Sequence, residues 1–326
     1  MKNKKIIIAG GTGFIGESLV EYFSGNNEVT VLTRGIKNVP TNLYRTNKKP
    51  AGIHRVKYIH WDAHHQGDWV ASISGADLII NMCGKTVNCR YTGKNKKEIF
   101  DSRTHSTAAL GEAIRNAKDP PRLWINASSA TIYRHATDRP QDEFTGEIEN
   151  DFSVQVCKRW EKTFFEVRTP FTRKVALRMA VTLGNGGVIV PYFNLLKFGL
   201  GGYQGNGQQM YSWIHIADTC RIIEWVAANK DMEGVYNCCS PVPVTNAVFM
   251  KTLQEVTGHK FGLPAYTWML KMGALVIGTE TELLLKSRWV LPTRLLQTGF
   301  NFKFVQIEDA FKEIVSLTER KQYHLF

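Results

Sequence analysis

The chain has no apolar run near the ~20 residues a membrane-spanning helix needs, no low-complexity tract and no internal repeat. These absences argue against a membrane-spanning role and against a repeat architecture. The opening "MKNKK" followed by "IIIAGG" imitates a short secretory signal, but its apolar run ends after four residues in Gly-Gly-Thr-Gly, so it reads as a buried strand. The six cysteines (Cys83, Cys89, Cys157, Cys220, Cys238, Cys239) show no Cys-x-x-Cys spacing and no histidine pairing suited to zinc. No disulfide and no metal is expected, and reduced thiols fit a cytoplasmic protein. Acidic residues are the scarcer charge, 29 against 41 basic ones, for a formal net charge of +12. Many of the basic residues fall in 34–57 and 85–103 with no RNA- or DNA-binding motif beside them. They read as solvated surface with some attraction for an anionic cofactor or substrate, and no nucleic-acid or membrane partner is expected.

What the chain does have is alternation. At 326 residues it can form one large or two modest domains. The short apolar runs "KIIIAG", "EVTVLT", "VKYIHW", "ADLIINM", "RLWINAS" and "KVALRMA" predict strands, and amphipathic patterns predict helices at about 14–25, 96–117 and 151–168. Strand, helix, strand in repetition implies an α/β fold, a Rossmann-type doubly wound parallel sheet that binds ligands at the carboxyl ends of its strands.

The first strand runs into "GGTGFIG", and Gly10, Gly13 and Gly16 form G-x-x-G-x-x-G at the start of a helix whose apolar face carries Phe14, Ile15, Leu19 and Val20. Gly10 permits the tight turn, Gly13 lets backbone approach a pyrophosphate, and Gly16 allows close helix packing, while the helix N-terminus offers unpaired N–H donors. With a strand before and a helix after, this spacing predicts dinucleotide binding. Thr12, Phe14 and Ile15 in the turn, and Ser128 at the end of the fifth strand, join it as cofactor-side candidates.

The second strand ends "VLTRG", with Thr33 and Arg34 where an NAD site usually carries Asp or Glu for the ribose 2′-hydroxyl. A guanidinium there suits a 2′-phosphate, so NADP(H) is favoured over NAD(H), the alternative being a merely exposed arginine. Asp62 in "IHWDA" could accept from an adenine amino group or cap a helix. Asn81 and Gly84 in "INMCG" end the fourth strand, where small residues let the chain pass beside a cofactor.

"AGGTGFIG", "INMCG" and "NASSATIY" resemble the extended branch of the short-chain dehydrogenase/reductase superfamily. A narrower resemblance, to the atypical "epimerase family" subgroup with a C-terminal domain of unknown function, is carried by "RYTGKNKKEIFDSR", "VCKRWE", "RMAVTLGNGG", "FGLGGYQGNGQQMYSWIHIAD", "NCCSPVPVTN" and "LPTRLLQTGFNF". It runs in order along nearly the whole chain. It implies a Rossmann domain with a smaller C-terminal substrate lobe and a bound NADP(H), and leaves the activity open.

Reductases of the wider superfamily hold the substrate oxygen with Ser or Thr, pass the proton through Tyr, and use a Lys four residues later to bind the nicotinamide ribose. Ser129 and Thr131 match the hydroxyl positions. The Tyr/Lys pair is absent: aligning on Glu161 puts Ser153 and Cys157 there, and sliding by one to recover Lys158 meets Val154. Tyr133 is the nearest phenol, either a substitute acid over the cofactor or a packing residue. Arg90 and Arg103, on the loop and helix after the fourth strand, either contact an anionic substrate or make surface ion pairs. In the glycine-rich stretch after Phe198, Gln209, Ser212 and Trp213 are substrate-lobe candidates against core packing. His215 reads as a structural hydrogen bond before a helix capped near Asp218, Arg178 as a buried brace of the sheet end, His135 as surface, and "YTWMLKMGALVIG" as an apolar helix.

The expected architecture is a Rossmann domain over residues 1–184, to which 213–239 returns, and a substrate lobe from 185–212 and 240–326. No linker divides them, so one rigid body with a cleft between is expected. Two functions follow: an NADP-dependent oxidoreductase or epimerase-like enzyme on a small or nucleotide-sugar-like substrate, or a non-catalytic NADPH-binding regulatory or sensor protein. Monomer and homodimer are both open.

Overall fold

Apolar residues on both faces of every strand dictate a sheet covered on both sides, and the computed structural model, which describes residues 1–35, 56–270, 272, 280 and 282–325, has that form. Most of the basic stretch 34–57 and much of the apolar 266–278 segment lie outside the described residues; 267–270 of the latter are helical. The first six strands are β1 (Lys5–Ala9), β2 (Glu28–Thr33), β3 (Lys57–His60), β4 (Leu78–Asn81), β5 (Leu123–Ser129) and β6 (Arg173–Met179). Three short strands follow, β7 (Val181–Leu183), β8 (Met210–Tyr211) and β9 (Trp213–His215), before β10 (Gly234–Cys238) joins the edge of the large sheet. Its seven strands run in the order β10-β6-β5-β4-β1-β2-β3, all parallel. The strand order reverses between β1 and β4, the switch point where such sheets bind ligands.

Alternation along each strand sorts the core. Ile6 and Ile8 face one side, with Leu19, Val20 and Phe23 of α1 (Phe14–Ser24) and Ile222, Ile223 and Val226 further on. Ile7 and Ala9 face the other, with Ala109, Leu110, Ala113 and Ile114 of α2 (Gly93–Asn116) and Phe164 of α3 (Phe152–Glu166). Each fully buried Ile or Leu contributes roughly 1.5–3 kcal/mol, so a one-residue slip of β1 is prohibitive. The three helices start and stop within three residues of the sequence expectation.

A separate apolar cluster joins α4 (Ile189–Lys197), Trp213, Phe249 and Leu253, and the helix Ile307–Ser316. Between it and the sheet end runs a strap, residues 286–291. One side of the strap bonds to 210–212 (Arg288 N to Met210 O, 2.8 Å; Ser212 N to Arg288 O, 2.9 Å), the other to 136–141 (Gln141 N to Trp289 O, 2.7 Å; Leu291 N to Gln141 O, 2.9 Å). The helix α5 (Ile216–Ala228) is capped by His215, whose Nδ1 accepts from Ala217 N at 3.2 Å, and not by Asp218. Asp218 is fully buried and accepts from the backbone N–H groups of Lys303 and Phe304 at 2.9 and 2.8 Å.

Candidate functional site

The carboxyl ends of β2, β1 and β4 open into a cleft of about 690 Å³. Its floor is the turn between β1 and α1, and the three glycines there do different work. Gly10 has φ +81°, and a Cβ on it would lie 2.9 Å from the Met82 carbonyl carbon. A Cβ on Gly16 would lie 2.1 Å from Gly10 O, so helix and turn could not close. A Cβ on Gly13 would meet nothing nearer than Gly10 O at 3.7 Å: the turn does not need that glycine for packing, and the space above it is left for a ligand. Side chains cap the N-termini of α2 (Thr92), α3 (Asp151) and α5 (His215); α1, like α4 and the helix Ile307–Ser316, has no side-chain cap, and at α1 the glycine turn leaves an anion room to take that place.

Around this floor the candidates divide. Thr12, Gly13, Thr33, Arg34, Asp62 and Gly84 line the cleft. Arg34 is exposed, while Thr33 is buried and accepts from Gly35 N at 3.3 Å. Burial pushes the Cys83 thiol up to about 12 against the pull of the Arg34 charge, which places that guanidinium within electrostatic reach of the end of β4. Asp62 organises its own loop: Oδ1 accepts from His64 N and His65 N, both at 2.8 Å, and Oδ2 meets His65 Nδ1 at 2.6 Å. The His65 ring first, then these backbone donors, hold its carboxyl well below the usual range. Three candidates face inward instead. Asn81 is fully buried, bonding Asn126 Oδ1 (2.7 Å), Thr107 (3.2 Å) and Cys83 N (3.1 Å), so it fixes the turn after β4 from behind. Phe14 fills the space over Gly184 and Gly187, where added Cβ atoms would strike its ring at 2.8 and 2.7 Å. Ile15 packs on the sheet core.

At the end of β5, Ser129 and Thr131 are half-buried with their hydroxyls 2.6 Å apart, and Thr131 Oγ1 lies 3.7 Å from Cys157 Sγ. Burial raises that thiol to about 11, so it is neutral near pH 7 and holds no charge where the usual relay has an ammonium. Tyr133 does not stand over the cleft. It is 2% exposed, with its hydroxyl donating to Asn237 Oδ1 (3.0 Å) and accepting from Arg178 (2.8 Å). Burial raises its pKa to about 12. Arg178 spans Glu161 with two bonds of 2.8 and 2.9 Å, and Ser128 donates to the same carboxylate at 2.6 Å. Ser128 and Tyr133 thus belong with the buried Arg178 brace and not with a proton relay.

The substrate-lobe candidates are also largely structural. Trp213 is fully buried, its indole N–H on Val242 O at 2.9 Å. Ser212 is 1% exposed and its hydroxyl holds the strap, at 2.8 Å to Arg288 O and 2.7 Å from Val290 N. Gln209 donates to Gln204 O and Leu284 O and leaves only Oε1 without a partner among the described residues. Arg90 pairs with Glu280 at 3.7 Å. His215 makes the structural contacts expected of it, with Glu313 at 3.0 Å, and exposed His135 accepts from Ser287 N at 3.0 Å. Arg103 is not itself among the residues lining the cleft but packs its guanidinium on one of them: a Cβ on Gly84 would lie 3.1 Å from Arg103 Cζ.

Sequence reasoning missed Lys286. It is 6% exposed, bonded to Asp151 Oδ2 at 2.5 Å and 3.4 Å from Thr131 O, so the strap reaches the hydroxyl turn. A lysine closing the apolar run "ELLLK" was the only local hint.

A profile of the NAD dependent epimerase/dehydratase family matches residues 6–154, and a domain of unknown function, DUF1731, matches residues 267–314. An epimerase family protein of Staphylococcus saprophyticus is 31% identical over 315 residues, covering 96% of this chain and 99% of its own. The crystal structure of a human epimerase family protein with NADPH superposes with a TM-score of 0.82 at 28% identity, covering 96% of this chain and 100% of that one. A UDP-N-acetylglucosamine 4-epimerase from Methanobrevibacter ruminantium, at 17% identity and a TM-score of 0.75 over 97% of this chain and 98% of its own, shares the fold. From the glycine turn through the C-terminal segment, the chain belongs to the epimerase family, an atypical branch of the short-chain dehydrogenases/reductases.

Proposed function

We propose that the protein binds NADP(H) across the ends of β2, β1, β4 and β5 and acts as an oxidoreductase or epimerase-like enzyme on a small or nucleotide-sugar-like substrate. In this reading Gly10, Thr12, Gly13 and the α1 N-terminus receive the pyrophosphate and Arg34 receives the 2′-phosphate. Residues 1–184 with 213–239 form the cofactor domain; 185–212 and 240–326 form the substrate lobe. The observation that carries it is the fit of the turn: a helix N-terminus without a side-chain cap, beneath a Gly13 whose missing Cβ opens space for a ligand. The NADPH held by the human relative supports the same cofactor.

When bound, the nicotinamide supplies or accepts hydride. Of this chain's residues, Ser129 and Thr131 hold the substrate oxygen, and their paired hydroxyls, 2.6 Å apart, can pass a proton between them. Tyr133 takes no part, its phenol being spent on Arg178 and Asn237. That burial, with neutral Cys157 in the lysine position, favours one second reading, an NADPH-binding regulatory or sensor protein without turnover. Titration with NADPH and NADH followed by a screen of carbonyls and sugar nucleotides separates them. Nicotinamide absorbance consumed with one substrate class, and slowed by Ser129→Ala, supports the enzyme. Tight NADPH binding with silence across the screen supports the sensor, and no binding of either nucleotide overturns both.

A further inference from the structure

The hydroxyl turn at the end of β5 has neutral Cys157 where the usual relay has an ammonium, yet it does not lack a neighbouring cation. Arg103 comes in from α2. Its NH1 donates to Lys85 O at 3.1 Å and Ile99 O at 3.0 Å, and its Cζ sits 5.1 Å from the Trp160 ring centroid. Those contacts fix the guanidinium plane and use one nitrogen, while Nε and NH2 make no hydrogen bond among the described residues. No carboxylate among the described residues pairs with it, and its titrating neighbours are the Cys157 thiol and the Tyr91 phenol. Burial alone draws its pKa down, the mark of a charge held partly out of water without a counter-charge.

The surrounding cations are differently placed. Arg178 is spent on Glu161, Lys286 on Asp151, Arg90 on Glu280 and Lys85 on Glu98. The position of Arg103 is also specific. One flank is Gly84, whose missing Cβ makes room for the guanidinium at the end of β4. The other is Cys157, itself against Thr131 beside Ser129. A dinucleotide with its pyrophosphate over the β1 turn must carry its second ribose past the end of β4 before reaching the hydroxyls at the end of β5.

Resting on the cofactor reading above, we propose that Arg103 is the group that holds the nicotinamide ribose, donating from Nε and NH2 to its hydroxyls in place of the lysine that Cys157 displaced. A planar fork suits two adjacent hydroxyls, and a guanidinium stays charged at any working pH.

Adenosine 2′,5′-bisphosphate, which carries the adenosine half without the nicotinamide riboside, provides the control. Arg103→Met and the milder Arg103→Gln are titrated with NADPH by fluorescence and with the bisphosphate by calorimetry, with thermal unfolding alongside. The expected result is a loss of about tenfold or more in NADPH affinity in both variants, with bisphosphate affinity within about twofold of wild type. Adding Cys157→Lys to Arg103→Gln should recover part of the NADPH affinity. Unchanged NADPH binding, or equal loss of both ligands in both variants, overturns the assignment. Wild-type protein that binds neither ligand would instead remove the cofactor reading on which it rests.

Discussion

At the glycine-turn end of the cleft the residues that shape the site lie in short local segments: Gly10 to Gly16 in one turn, then Thr33 and Arg34 at the end of β2, then Asp62 after β3. Around the hydroxyl turn after β5, Ser129 with Thr131, then Arg103, Cys157 and Lys286 come from four separate places and meet only because α2, α3 and the strap converge on the tip of β5. The first end depends on glycine and backbone. The second depends on side chains brought together from distant segments. The turn of the first site fails when a Cβ is added; a site of the second kind fails when a partner is removed.

Removing a partner should have the largest effect. Arg178→Met leaves the Glu161 carboxylate, 12% exposed, without its cation and should cost roughly 3–5 kcal/mol, read from the shift of the urea midpoint. A loss under ~1 kcal/mol would mean the brace is dispensable and the contrast false. Next comes Gly16→Ala, whose Cβ would sit 2.1 Å from Gly10 O. It should cost roughly 1–3 kcal/mol by overpacking and abolish measurable NADPH binding, whereas Gly13→Ala, with nothing nearer than 3.7 Å, should leave the unfolding temperature unchanged and weaken only nucleotide binding. Equal unfolding temperatures for the two variants would contradict the division of labour in the turn.

Arg34→Ser sharpens the glycine-turn end alone. NADPH affinity should fall by about 10- to 100-fold while NADH affinity stays put, since a charge-assisted hydrogen bond is worth roughly 1.5–3 kcal/mol; parallel losses would remove the 2′-phosphate contact. Tyr133→Phe should cost about 1–2 kcal/mol of stability by stranding partners of its hydroxyl, and leave the pH profile of any turnover unmoved. A shifted profile would return Tyr133 to the chemistry. The smallest effect belongs to His215, whose pKa burial lowers from 6.5. A depressed folded value means the contribution is complete above about pH 6.5 and fades as the solution is acidified, so His215→Asn should flatten the stability curve between pH 5 and 7 by less than ~1 kcal/mol.

The same contrast explains what could be read in advance. Strands with apolar runs, the glycine turn and the ending of β2 announce themselves within a few residues, because the physics that selects them is local. Tyr133, Ser212 and Trp213 stay open in the sequence, between a ligand-facing and a structural role, for the opposite reason. Each sits beside a segment that looks ligand-facing, and each is covered by chain far away: Asn237 and Arg178 over Tyr133, the strap over Ser212, the second core over Trp213. Arg103 was visible as a candidate, but its direction depends on Gly84 meeting α2, which no local pattern encodes.

The strap has a consequence for the order of assembly. A chain made from its N-terminus possesses the β1 turn early and residues 286–291 near the end, so the glycine-turn half of the cleft can form while the hydroxyl turn still lacks the lysine that pins it. On the proposed function, a nascent or truncated form would bind nucleotide before the hydroxyl turn is pinned, making late synthesis the step that completes the site.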